Sequence, residues 1–205
     1  STVRIEMPFM IAITALLFYQ GRDGSISLAD GGVLMVAFAV YMMYLYTMAM
    51  KSNVDSDLEE PGLPLGRCIL SAVGGLALII AGSNVTVGAA TSIATYAGLS
   101  ERFIGLTIVA LGTSLPELFT SVAAARRGNA DIAIGNIVGS NIFNILFVVG
   151  LSSLIIDIPF ASAFNFDTYV ALGAAVLLWL CVLRTQRLQR WAGALMLVCY
   201  AAYLG

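Results

Sequence analysis

The chain has 205 residues, 60% hydrophobic and 11% charged, with a net charge of -2 and no histidine, and its mean hydropathy is +0.93. A water-soluble domain needs a charged surface, so this composition points to an integral membrane protein. The missing histidine removes the commonest general base and transition-metal ligand, and the scattered basic residues offer no patch for nucleic acid.

Apolar runs approaching the ~20 residues that a bilayer requires fall at 5–20, 28–50, 65–96, 103–125, 132–156, 166–183 and 191–205. They predict an all-α membrane protein of about seven transmembrane helices. The first run, about 16 residues or ~24 Å of helix, is the shortest. The third exceeds what a bilayer needs, so it is expected to tilt or bend. Between the second and third runs, residues 51–64 hold Asp55, Asp57, Glu59, Glu60, Pro61 and Pro64, a solvated acidic linker. Threading the chain seven times collects Arg4, Lys51, Arg67, Arg126, Arg127, Arg184, Arg187 and Arg190 on one side and Arg22 and Arg102 on the other. The basic side is expected to be cytoplasmic, which puts the N-terminus inside and Gly205 outside. Cys68, Cys181 and Cys199 sit in apolar surroundings with no C-x-x-C pair, so they read as packed thiols rather than disulfides or a zinc site.

The fourth run carries LGTSLPELFTS, residues 111–121. Pro116 has no amide hydrogen and crowds the preceding turn, so carbonyls around Ala110, Gly112 and Thr113 lose their regular partners. In hydrocarbon an orphaned carbonyl is tolerated only where protein, water or an ion meets it. Glu117 stands beside this break, and an intramembrane acid faces a cavity or a partner. Thr113, Ser114 and Ser121 lie four before, three before and four after Glu117, collecting oxygens on its face. In the fifth run, IGNIVGSNIFNILF, residues 134–147, Asn136, Ser140 and Asn144 recur every four residues. Gly135 and Gly139 form a G-x-x-x-G that predicts close approach by another helix. Ser83 and Asn84 in the third run are further polar candidates for lining a path. This all-oxygen set suits hard cations, since Ca²⁺ takes about 6 to 8 oxygen ligands and Na⁺ uses similar sites. One carboxylate does not neutralise Ca²⁺, so a second acidic half-site is expected.

Shifting the chain by 161 positions lays residues 5–44 on 166–205, with Leu16 on Leu177, Leu17 on Leu178, Gly32 on Gly193, Leu34 on Leu195 and Met35 on Met196. Glu6 falls on Asp167. If the last two helices close a five-helix unit at 65–205, the helices within 1–50 are the end of an earlier copy in the opposite orientation, as in inverted-repeat transporters. The first three helices of that copy are expected to precede Ser1.

GTSLPE at 112–117, followed by GNIVGSNIFN at 135–144, resembles an α-repeat of the calcium:cation antiporter superfamily, sodium/calcium exchanger type. The match covers 105–150 and looks like the second such repeat. The resemblance implies Na⁺/Ca²⁺ exchange by alternating access, with no cofactor beyond the transported Ca²⁺ and Na⁺. It makes Glu117 a central Ca²⁺ ligand, with oxygens from Thr113, Ser114 and the Ala110 carbonyl. Ser140 and Asn144 would line the cation sites, and residues 65–96 would form the long helix that slides during transport. Potassium-dependent relatives carry an acid where Asn144 stands, and proton-coupled relatives tend to carry one after the G-N pair of the facing helix, where Gly139 and Ser140 follow Asn136 here, so Na⁺ is the favoured counter-ion. A prokaryotic inner membrane is the expected location. A homodimer about an axis along the membrane normal would not replace the missing copy, because both motifs would face the same way.

Two other function classes compete. A non-transporting membrane scaffold or partner subunit would need no complete cation site. An intramembrane hydrolase is opposed because Ser114 lacks the second glycine of G-x-S-x-G and no histidine exists to act as base.

Overall fold

Inside a bilayer every backbone N–H and C=O must be paired within its own segment, and an apolar chain answers with helices. The computed structural model describes residues 2–51, 64–99, 104, 108, 110–184 and 188–204. The acidic residues of the linker, with Arg102, Arg187 and Gly205, lie outside the described residues.

In chain order the helices are α1 (Met7–Gln20), α2 (Leu28–Lys51), α3 (Leu65–Tyr96), α4 (Ala110–Thr113), α5 (Leu115–Arg126), α6 (Ala130–Phe143), α7 (Gly150–Ile155), α8 (Phe164–Leu183) and α9 (Arg190–Leu204). A π-helical turn, Thr2–Glu6, precedes α1, and another, Asn144–Val149, joins α6 to α7. Strands β1 (Ser25–Ile26) and β2 (Ile158–Pro159) pair antiparallel, with Ser25 opposite Pro159 and Ile26 opposite Ile158.

Five helical runs are long and apolar enough to cross a membrane among the described residues: Thr2–Asp23, Leu28–Lys51, Gly66–Tyr96, Ala130–Ile155 and Phe164–Leu183. The first corrects the short helix expected at 5–20. The π turn and a 3₁₀ turn at Gly21–Asp23 extend it to 22 residues, enough to span. Pro8 lies inside this run, where its missing amide leaves carbonyls of the π turn short of a donor; the Val3 carbonyl, five residues before it, is met by Trp179 Nε1 instead. At the start of α2, Ser27 and Asp30 cap each other. The Ser27 amide donates to Asp30 Oδ2 at 2.9 Å, and the Asp30 amide to Ser27 Oγ at 3.4 Å.

The chain divides into two compact units, Ser1–Ser52 with Asn129–Gly205, and Asn53–Gly128. The core of the first unit comes from Val3, Met7, Met10 and Ile13, with Leu34 and Tyr41 of α2, Ile134, Val138 and Ile142 of α6, and Leu146 and Val182. Phe9 stacks on Tyr41 with ring centroids 5.4 Å apart, and Trp179 Nε1 donates to the Val3 carbonyl at 3.0 Å. Large apolar side chains elsewhere point outward, among them Val36, Met43, Leu78 and Leu180, the inverse of a soluble surface. Helices approach closely in this unit where Gly31 of α2 meets Ser153 and Gly150 of α7. The G-x-x-x-G of Gly135 and Gly139 predicts such an approach on α6, and among the described residues a Cβ on either would meet nothing within 4 Å. The small residues that matter are those at the α2–α7 crossing, where backbone meets backbone.

In the second unit α3 runs unbroken for 32 residues and packs on α4 and α5. Gly112 lies against Val87, where a Cβ would overlap a valine methyl.

Candidate functional site

The GTSLPE stretch is a junction between two helices. α4 ends at Thr113, Ser114 adopts φ -93° and ψ 0°, and α5 starts at Leu115 with the proline in its first turn. Pro116 therefore begins a helix instead of kinking one, because only at a helix start is its missing amide harmless. One carbonyl is passed over. The Ser114 amide donates to Leu111 O at 3.1 Å, and Pro116 offers no amide to Gly112 O.

Ser114 with Glu117 spells a capping box, S-x-x-E, whose ordinary purpose is to close a helix end. Here the Ser114 side chain makes no cap to α5. Glu117 lies in the first turn of α5, where the positive end of the helix dipole favours a carboxylate. The residue is half-buried and its Oε2 is wholly buried. Thr113 and Ser114 are exposed, whereas Ser121, four residues beyond Glu117, is buried at 7% exposure. Glu117, Thr113, Ser114, the Ala110 backbone and Ser121 thus share one helix junction. α3 packs on this junction through Val87, and Ser83, one turn earlier on the same face, is buried with a hydroxyl that has no hydrogen-bond partner among the described residues. Asn84 is exposed and does not share that buried face.

Asn136, Ser140 and Asn144 belong to the other unit. Their placement follows from two stripes of the same period. Ile134, Val138, Ile142 and Leu146 are buried in the core, and a shift of two residues, roughly 200° around the helix, puts Asn136, Ser140 and Asn144 on the opposite side. Asn136 and Ser140 are half-buried and Asn144 is exposed. The Ser140 hydroxyl donates to the Ile137 carbonyl at 3.1 Å, which leaves its lone pairs available as acceptors. Asn141 Nδ2 donates to the same carbonyl at 2.9 Å, so Asn141 is occupied within its own helix.

Two features of these elements had no sequence signal. Asn144 is the first residue of a π turn, a rare device that recurs at functional sites. Val87, a plain apolar residue, fixes how closely α3 approaches the junction.

Apolar spans whose polar oxygens gather at a helix junction and along one helix stripe define an integral membrane protein of the ion-transporter class. The chain belongs to the sodium/calcium exchanger protein family, whose model matches residues 68–205. It is 35% identical to the putative antiporter CaxA of Alkalimonas amylolytica over 98% of this chain and 67% of that protein. It is 36% identical to the sodium/calcium exchanger MaX1 of Methanosarcina acetivorans over 66% of this chain and 39% of that protein. A solved structure of the sodium-calcium exchanger NCX_Mj superposes with a TM-score of 0.79 at 27% identity, covering all of this chain and 66% of that one. The chain therefore spans two thirds or less of the length of these relatives.

Proposed function

We propose that this chain is the C-terminal part of a secondary antiporter exchanging Na⁺ for Ca²⁺ by alternating access. The observation that carries this reading is the junction at Ser114. Pro116 there withholds the regular helix partner of the Gly112 carbonyl, five residues before Glu117. Carbonyl, hydroxyl and carboxylate oxygen are the donors a hard cation takes in exchange for water. Glu117 supplies the charge, Thr113, Ser114 and Ala110 supply neutral oxygens, and Ser140 and Asn144 complete the ligand set. Asn136, Ser121 and Ser83 line the pathway, with Asn84 a weaker member given its exposure. Residues 1–50 are the last two helices of a first repeat and 65–205 a five-helix second repeat. The basic loops face the cytoplasm of a prokaryotic cell.

The test is uptake of radiolabelled Ca²⁺ into vesicles holding the full-length parent protein, driven by an imposed Na⁺ gradient. The Glu117→Gln protein is expected to lose nearly all uptake, since Gln keeps the shape and removes the charge. Unchanged uptake by this variant would sink the assignment. Uptake that follows a K⁺ or H⁺ gradient instead would retain the antiporter and replace its counter-ion.

A further inference from the structure

The turn joining α1 to α2 carries charges of both signs that do not pair. Tyr19, Gln20, Arg22, Asp23 and Asp30 line an open pocket of about 460 Å³. Arg22 and Asp23 are exposed, yet no hydrogen bond or ion pair joins Arg22 to either aspartate or to any other described residue. The two carboxylates are half-committed to the backbone. Asp23 Oδ1 accepts from the Ser25 amide at 3.3 Å, and Asp30 Oδ2 accepts from the Ser27 amide at 2.9 Å and from Ser27 Oγ at 2.6 Å. Asp23 Oδ2 and Asp30 Oδ1 accept nothing from the described residues. Gln20 is 9% exposed, held by its Nε2 donating to the Asp30 carbonyl at 3.2 Å, while its Oε1 is buried with no donor.

Position narrows the occupant. The runs Thr2–Asp23 and Leu28–Lys51 are each long enough to cross a bilayer, so the turn between them emerges at a membrane surface. Tyr19, 69% exposed, stands at the interfacial depth where tyrosine accumulates. The commonest zwitterion at that depth is a phospholipid headgroup. A guanidinium binds a phosphate through paired N–H donors, and a primary ammonium brings three donors to carboxylate and amide oxygens. We propose that the α1–α2 turn is a binding site for the phosphoethanolamine headgroup of a membrane lipid, with Arg22 on the phosphate and Asp23 and Asp30 on the ammonium. A choline headgroup has no N–H to donate and a glycerol headgroup has no cation, so the site selects ethanolamine over both. This site stands whether or not the chain transports ions.

Native mass spectrometry of the purified chain in detergent tests this, with phosphatidylethanolamine, phosphatidylcholine and phosphatidylglycerol of identical acyl chains at equal concentration. The ethanolamine lipid is expected to be retained about tenfold over the other two, the size of one charge-assisted hydrogen bond. Asp23→Asn is expected to abolish that preference, and Arg22→Gln to lower retention of all three lipids, since each carries the phosphate. Neither disturbs folding, because both side chains are exposed and Asn keeps the acceptor for Ser25. Equal retention of the three lipids, or preference for phosphatidylglycerol, overturns the proposal. Excess glycerophosphoethanolamine separates a lipid from a soluble source: a lipid site resists displacement, and full displacement overturns the lipid assignment. Ca²⁺ displacing the lipid from the unmodified chain but not from Asp23→Asn would likewise overturn it, in favour of a cation site.

Discussion

Gly112→Ala tests whether α3 and α4 meet as tightly as their backbones imply. A methyl at this position would overlap one Val87 methyl and lie 3.1 Å from Val87 Cβ and 3.3 Å from its other methyl. Valine is short and β-branched, so it cannot swing aside, and the strain passes to the backbone. Overpacking of this kind costs about 1–3 kcal/mol, and the better helix propensity of alanine returns about 0.8–1.0, so a net loss of about 0–2 kcal/mol is expected. Val87→Ala alone removes two methyls from a half-buried site and costs about 1 kcal/mol. In the double variant the new methyl enters the space the valine leaves. The two Cβ atoms would stand 3.1 Å apart, which a shift of a few tenths of an ångström relieves. The double variant is therefore expected to be no less stable than Val87→Ala alone. Reversible unfolding in mixed micelles measures all four proteins. Losses that simply add, within about 0.5 kcal/mol, would refute the contact.

Gly31→Ala provides a contrast, because its methyl would meet both the Ser153 hydroxyl and, at 2.9 Å, the Gly150 carbonyl. A loss of about 2–3 kcal/mol is expected, and Ser153→Ala should not restore it, since the backbone obstacle remains; the same unfolding assay reads both. Trp179→Phe keeps the ring packing but removes the donor to the Val3 carbonyl at 3.0 Å. It should cost about 1 kcal/mol, seen as a lower unfolding midpoint. Pro116→Ala restores an amide that can bond Gly112 O and lets α4 run into α5. The parent protein should then keep or gain stability while its Ca²⁺ affinity, measured by calorimetry, falls by about tenfold, one ligand's worth of carbonyl. Unchanged affinity would show that the Gly112 carbonyl is not used.

The helical spans were legible because length and hydropathy govern them directly. Residues 65–96 and 28–50 match α3 and α2 to within a residue. The apolar run at 5–20 is shorter than the helix that contains it, because Arg4 and Glu6 interrupt the hydropathy. A π turn nevertheless carries the helix through both and buries Glu6 at 8% exposure. Which apolar face forms the core was not legible. In a membrane the lipid-facing and core-facing sides are equally oily: Ile132 is 62% exposed while Ile134, two residues on, is 6% exposed. The crossing at Gly31 and Gly150, by contrast, has no G-x-x-x-G spacing to announce it. The junction was legible from Pro116 and Glu117, since both are expensive at that depth and each needs a reason to be there. Its geometry was not: a proline that kinks one helix and a proline that starts a new one are indistinguishable in sequence.

The pairing of β1 with β2 brings together the turn after α1 and the turn before α8, and the Phe160 amide adds a 2.8 Å bond to the Gly24 carbonyl. Everything in the second compact unit is encoded between them. On the ribosome, α1 and α2 leave before α6 and α8, with Met7, Met10 and Ile13 prepared for partners that do not yet exist. Those neighbours arrive only after α3, α4 and α5 have been made. Until then α1 and α2 must wait in the bilayer, and the clasp between the two turns closes only after the middle helices are inserted. An error in inserting the middle helices would therefore appear first as failure of the outer ones to pair.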